Sequence, residues 1–212
     1  SSAVCSPDLV DALGLSPHVF RSPLWGLGCG GGAMGLSHAY RYLKGNPGQK
    51  VLLITVELCS LTFHFQDFSK SNLIALALFS DGVASVVLGG EESGLAPLAT
   101  IQSTRSTTWP GSLDVMGWNF LNEGMQVVFA KGIPAIVREK ARENIARFLE
   151  TEGMTFPDAD HWVVHPGGLK VIEAYEEALP LSPGAMDPAR DVLRRYGNMS
   201  ASTVLFVLEA CL

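Results

Sequence analysis

The 212-residue sequence predicts a layered α/β fold. Three observations carry that expectation. Apolar runs of strand length occur at 51–56 (VLLITV) and 82–89 (GVASVVLG). Stretches with apolar residues at helical spacing lie between them. Glycine-rich corners lead from a strand or extended run into a helix around Cys29 and again around His165. Strands alternating with helices are the pattern of a sheet covered by helices.

The elements follow in order. Pro7 and Asp8 ahead of Leu9, Val10 and Leu13 predict a short helix with proline in its first turn. Residues 19–26 read as extended. Ala33, Met34, Leu36, Ala39, Tyr40 and Leu43 recur at helical spacing, and Gly45-Asn46-Pro47-Gly48 ends that helix. The run at 51–56 is a strand buried on both faces. Residues 71–79 form a helix and 82–89 a strand, and the glycine-rich stretch 89–94 is the best boundary between two halves, 1–90 and 91–212. A strand at 98–103 and a long amphipathic helix at 133–152 follow. Residues 161–165 (HWVVH) are a strand entering Pro166-Gly167-Gly168 and a helix to Leu179, and 188–196 is a further helix. In 201–212, Thr, Val and Phe favour a strand, whereas the Asn and Ser just before it favour a capped, buried helix, the reading adopted here.

Composition narrows the function classes. The chain is 47% hydrophobic and 17% charged, which excludes disorder. With 15 basic and 21 acidic residues the net charge is −6, and no basic run of five exists, so neither nucleic acid nor an anionic membrane is expected as partner. No apolar run approaches the ~20 residues of a membrane span, so no stable membrane association is expected. Cys5, Cys29, Cys59 and Cys211 are far apart with no CxxC pair, which reads as free thiols in a reducing, cytoplasmic setting. The chain lacks an initiating Met, as a processed chain or a piece of a longer one would.

Three corners carry the chemistry. Cys29 stands in Leu27-Gly28-Cys29-Gly30-Gly31-Gly32 at the start of a helix. Free N–H groups and the helix dipole there favour thiolate. A free cysteine is only about 3% ionised at pH 7, and the helix end supplies ~0.3–1 kcal/mol, so a second group, usually an imidazolium, is needed to activate it. His165 closes an apolar extended run at the carboxyl edge of a sheet, where α/β sites collect. Asn198, between Gly197 and Met199, either donates to an oxyanion or caps a helix. Together the three match a nucleophile, an acid/base and an oxyanion donor. His161 and His165 share a strand face, but no third ligand is evident, so no metal is expected. Asp81 reads as a turn residue, and Trp25, Trp109, Trp118 and Trp162 as core or interface.

Cys29 within GLGCGGG, then VLLITVELCSLTF, ALFSDGVASVVLGG, WVVHPGG and RRYGNMSASTVLF strongly resemble the type III polyketide synthases, the chalcone-synthase-like group of the thiolase superfamily. The stretch from Glu57 to Phe79 resembles bacterial alkylresorcinol or alkylpyrone synthases more than plant chalcone synthases. The resemblance implies a thiolase-like α/β/α/β/α fold. Residues 1–90 would then be part of its N-terminal half with the nucleophile, and 91–212 most of its C-terminal half with His and Asn. It implies that Cys29 takes an acyl group from an acyl-CoA starter. Malonyl-CoA then loses CO₂ and condenses, with His165 and Asn198 holding the carbonyl and enolate oxygens, before the product cyclises to a resorcinol or pyrone. It further implies that Phe79 is a gate between CoA tunnel and cavity and that Cys59, Thr62, Val127 and Ser200 line the cavity. Gly167 and Gly168 would admit the pantetheine arm, and Ser6 would lie near a partner subunit's contribution. Coenzyme A thioesters would be the only small molecules required, with no further cofactor, and the enzyme would be a homodimer.

Family members are longer, so the chain is expected to be a fragment whose missing strands come from elsewhere. Two other functions remain open: a ketoacyl synthase III acting on carrier-protein substrates, and a non-catalytic piece that serves assembly or binding.

Overall fold

The structure is a computed structural model that describes residues 2–62, 67–112, 115–121, 124–129 and 132–212. Among the described residues, helices outnumber strands. They are α1 (Ser2–Ala12), α2 (Gly31–Gly45), α3 (Lys70–Leu78), α4 (Ile133–Thr151), α5 (Leu169–Ala178), α6 (Asp187–Tyr196) and α7 (Thr203–Cys211). The strands are β1 (Lys50–Glu57), β2 (Gly82–Gly89), β3 (Met116–Leu121) and β4 (Gly124–Phe129). Strands β1 and β2 pair antiparallel from Lys50 opposite Gly89 to Glu57 opposite Gly82, and β3 pairs antiparallel with β4.

Local chemistry accounts for most boundaries. Ser69 caps α3 by accepting the Asn72 N–H. Pro188 sits in the first turn of α6, Asp187 at its positive end, and Arg194 and Arg195 at its negative end. Gly197 then takes φ 73°, ψ −165°, a conformation only glycine holds without strain, and so turns the chain into Asn198. The terminal segment resolves as a short 3₁₀ turn, Ser200–Ser202, leading into α7, so the helical reading holds.

Several expectations fail in ways that have physical causes. Helix α1 starts earlier than expected, which places Pro7 in its interior. Strand β1 is not buried on both faces: Leu53 and Thr55 meet Gly35 of α2 and Ser202, whereas Leu52 on the opposite face is exposed, and of its residues only Thr55 is buried. Residues 19–26 and 98–103 form no strand. Residues 161–165 join no ladder among the described residues, although their alternation survives. Trp162 packs into a cluster with Val137, Ala141, Ala174 and Leu179, whereas Val163 packs into a second cluster with Ala189, Val192, Met199 and Val207. The β3–β4 hairpin was not anticipated, because Gly117, Asn119 and Gln126 break up its apolar run.

Ion pairs from Arg138 to Glu177 and from Arg190 to Glu176 fasten α4 to α5 and α5 to α6. Large apolar side chains remain open to solvent, among them Val83 and Val87 on β2, and Phe20, Phe68 and Leu98. No helix among the described residues is long and apolar enough to cross a membrane.

Candidate active site

Cys29 lies in a 3₁₀ turn, Gly28–Gly30, directly before α2, with Gly28 at φ +51°. The glycines that follow serve close packing. A Cβ on Gly32 would sit 2.3 Å from the Ala201 carbonyl oxygen and 2.7 Å from a Val204 methyl, and one on Gly31 would sit 3.0 Å from the Ala201 Cβ. The start of α2 therefore rests on the chain at 201–204, and this contact carries Cys29 to Asn198. The Cys29 Sγ donates to Asn198 Oδ1 at 4.0 Å.

Asn198 is 1% exposed and fully engaged. Its backbone N–H donates to Leu78 O at 2.9 Å, and its carbonyl accepts the Ser80 N–H at 2.9 Å. These bonds make a parallel bridge with Phe79. Oδ1 also accepts the Ser200 N–H at 2.9 Å, and Nδ2 donates to Gly167 O at 3.2 Å. Ser200 holds φ 50°, the sole non-glycine with positive φ among the described residues.

His165 stands two residues before Gly167, whose N–H donates to the His165 carbonyl at 3.0 Å. A Cβ on Gly167 would lie 3.7 Å from the His165 ring. Gly167 thus links the histidine corner to Asn198. The structure joins Cys29 to Asn198 directly, and Asn198 to the His165 corner through this glycine. Both His165 ring nitrogens are buried without a hydrogen-bond partner among the described residues.

Electrostatics correct one expectation. Burial holds the Cys29 thiol above its ordinary value, and the Glu57 charge adds to this, against an opposing hydrogen bond from Ser200. The contact in the structure turns the carboxamide oxygen toward sulfur, which suits a thiol donor. Burial lowers His165 to about 4, so its ring is neutral at pH 7. The expected thiolate–imidazolium pair is therefore replaced by a neutral thiol and a neutral imidazole, because removal from water outweighs the helix end.

The other expected residues fall around this centre to differing degrees. Phe79 ends α3 beside Asn198. Cys59 and Thr62 bound a 3₁₀ turn closed by the Thr62 hydroxyl on Cys59 O at 2.8 Å. Cys59 is pushed up to about 12, mainly by burial, so it is a poor second nucleophile. Gly168 is extended, and a Cβ there would meet Leu78 only at 3.7 Å. Val127 lies on β4 opposite Trp118, and its side chain, like that of Ser6 in α1, falls outside the described ones. Among the described residues no three His, Cys, Asp or Glu side chains gather as metal ligands.

Sequence reasoning missed Glu57. The Thr55 and Ser202 hydroxyls lie 2.8 Å apart, and Ser202 donates to Gly82 O at 3.1 Å. Glu57, two residues along the same strand face, is thereby set beside Ser200 and the Ala201 backbone, which hydrogen-bond its carboxyl. Burial outweighs those bonds and raises its pKa. A lone acid ending the apolar run VLLITVE was the available signal.

Comparison with known proteins places the arrangement. Residues 5–92 match the N-terminal domain of the chalcone and stilbene synthases, and residues 100–211 match their C-terminal domain. A relative from Bacillus subtilis (strain 168) bearing a chalcone synthase name is 42% identical over 95% of this chain and 56% of its own length. The 1,3,6,8-tetrahydroxynaphthalene synthase of Streptomyces peucetius subsp. caesius is 41% identical over 93% of this chain and 52% of its own. The crystal structure of PKS-I from the brown alga Ectocarpus siliculosus superposes with TM-score 0.88 at 31% identity, covering 97% of this chain and 54% of that one. The type III polyketide synthase 1,3,6,8-tetrahydroxynaphthalene synthase of Streptomyces coelicolor A3(2) shares the fold at TM-score 0.91 and 22% identity, over 98% of this chain and 59% of that one. The fold is thus the thiolase-like α/β fold of these enzymes, and the chain spans about half the length of the curated relatives it matches. With both domains matched along nearly all of its residues, the chain belongs to the chalcone and stilbene synthase family.

Proposed function

We propose that the chain carries the condensing centre of a type III polyketide synthase. The observation that bears most weight is the contact between Cys29 and Asn198 across 169 positions of sequence, with His165 one glycine away. In this reading the Cys29 sulfur attacks the carbonyl of an acyl-CoA starter. Its proton passes to a neutral His165 nitrogen and on to the departing CoA thiolate, leaving a thioester on Cys29. Malonyl-CoA then loses CO₂, and the enolate carbon attacks that thioester and displaces the Cys29 sulfur. The product is a ketoacyl-CoA lengthened by two carbons. Negative charge builds on oxygen in both steps, where the N–H of the neutral His165 ring is suited to donate, as is the second Nδ2 hydrogen of Asn198, the first being held by Gly167 O.

Phe79, Cys59, Thr62, Val127 and Ser200 shape the cavity in this reading. Gly167 and Gly168 are open enough on the protein side that their small size suits a ligand's approach. The halves 1–90 and 91–212 supply the nucleophile and the His–Asn pair respectively. The products are resorcinols or pyrones, made in the cytoplasm by a homodimer that needs no cofactor beyond the CoA thioesters. The open apolar side chains on β2 support a covered, assembled state.

Intact-mass spectrometry after incubation with acyl-CoA starters of graded length tests this. Wild type gains one acyl group, and Cys29→Ala gains none. Addition of malonyl-CoA then yields pyrone or resorcinol. Loading from carrier-protein thioesters alone would favour the ketoacyl synthase III reading, and no loading at all would leave a non-catalytic piece.

A further inference from the structure

Residues 78–81 lie between Asn198 and the turn Cys59–Thr62, and they are bonded to both. On one side Leu78 O and Ser80 N bracket Asn198 at 2.9 Å each, and the Ser80 hydroxyl donates to Tyr196 O. On the other side Asp81 takes both donors of Ser60: the N–H on Oδ1 at 2.8 Å and the hydroxyl on Oδ2 at 2.6 Å. These bonds hold the Asp81 carboxyl below the usual range. Asp81 makes no ion pair among the described residues, so Ser60 is what its charge serves.

The turn needs such a partner. The N–H groups opening a helical turn have no partner within it. Leu58, which precedes the turn, has no side-chain acceptor. Asp81 therefore caps the turn from across the fold, through the same short strip that fixes Asn198.

We propose that Asp81 is a positioning residue: by capping the turn Cys59–Thr62 it holds Cys59 and Thr62 in register with Asn198, and so sets which acyl chains the site accepts. The second half of this statement rests on the reading of Cys59 and Thr62 as cavity wall.

The test compares wild type with Asp81→Ala, Asp81→Asn and Ser60→Ala, all as the full 212-residue chain. Cys59 is labelled with N-ethylmaleimide at pH 8 and followed by peptide mass spectrometry, together with amide hydrogen exchange over 59–62. Asp81→Ala removes both acceptors and is expected to raise Cys59 labelling about tenfold, the effect of one lost charge-assisted bond. Asp81→Asn keeps an oxygen for the Ser60 N–H and an amide for its hydroxyl but loses the charge, so its labelling rises by less than half of the Asp81→Ala change. Ser60→Ala falls between the two, and with Asp81→Asn it carries the test should Asp81→Ala fail to fold. In parallel, the ratio of long-chain to short-chain acyl loading on Cys29 shifts at least threefold in Asp81→Ala, by the loss of part of that bond. Unchanged labelling and exchange would overturn the cap. Changed labelling with an unchanged loading ratio would overturn the role in selectivity. A wild type that takes no acyl group refutes the functional reading, while labelling and exchange still decide the cap.

Discussion

Cys29 and Asn198 meet through the thiol and the carboxamide oxygen, Sγ to Oδ1 at 4.0 Å, and that same oxygen accepts the Ser200 N–H at 2.9 Å. One buried side chain thus orients the sulfur and satisfies the strained turn behind it. Asn198→Ala leaves a buried Ser200 N–H without its acceptor, at a cost of about 1–3 kcal/mol. The expected result is a melting temperature lowered by several degrees, by about 2–4 °C per kcal/mol for a chain of this size. Calorimetry or circular dichroism checks it; an unchanged melt would mean that Oδ1 is dispensable to the turn.

Gly32 and Gly30 give a contrasting pair. A Cβ on Gly32 meets the Ala201 carbonyl oxygen at 2.3 Å, a backbone atom with no room to yield. Gly32→Ala is expected to cost about 2–3 kcal/mol and to move Cys29 away from Asn198. A Cβ on Gly30 meets nothing within 4 Å, and φ there is −73°, so Gly30→Ala folds normally. Thermal melts of the two variants decide this, and equal stability would contradict the packing described.

His165 makes stability depend on acid. Its folded value, about 4, lies below the ordinary 6.5, so the unfolded chain takes up a proton first as pH falls. Stability from this group is complete above about pH 6.5 and is lost progressively down to about pH 4. The loss amounts to about 3 kcal/mol. His165→Gln is expected to flatten that part of the curve. Urea melts of both proteins between pH 4 and 8 measure it, and parallel curves would show that the ring is not held neutral.

Glu57 acts on the Cys29 thiol. Its charge raises the Cys29 thiol, second to burial among the raising effects. Glu57→Gln therefore shifts the onset of Cys29 alkylation by iodoacetamide to lower pH, read peptide by peptide. The direction follows from sign alone: removal of a nearby negative charge favours thiolate. A shift to higher pH would falsify the placement of this carboxyl.

The legible parts of the sequence were those written in local chemistry. The Asn46 end of α2 and the length of β2 follow from a few neighbouring residues. Cys29, His165 and Asn198 stood out because glycine frames each of them. What stayed hidden depends on partners far along the chain. HWVV reads as a strand in any window, yet a ladder requires a neighbour that no window contains. Burial of the Cys29 sulfur and the His165 ring, which reverses their expected charges, is set by packing from several elements. Glu57 lies just past the expected strand 51–56, and only the contact of Thr55 with Ser202 shows which way that strand face turns.

The bridge between Phe79 and Asn198 limits how the chain can vary at this corner. Phe79 and Asn198 lie on two strips of main chain bonded into one ribbon, so an insertion or deletion in either would displace both residues. Replacement of side chains leaves that ribbon in place. Variation at this corner should therefore come by exchanging side chains around an unaltered trace, and a library built on point substitutions should retain more folded members than one built on loop grafts.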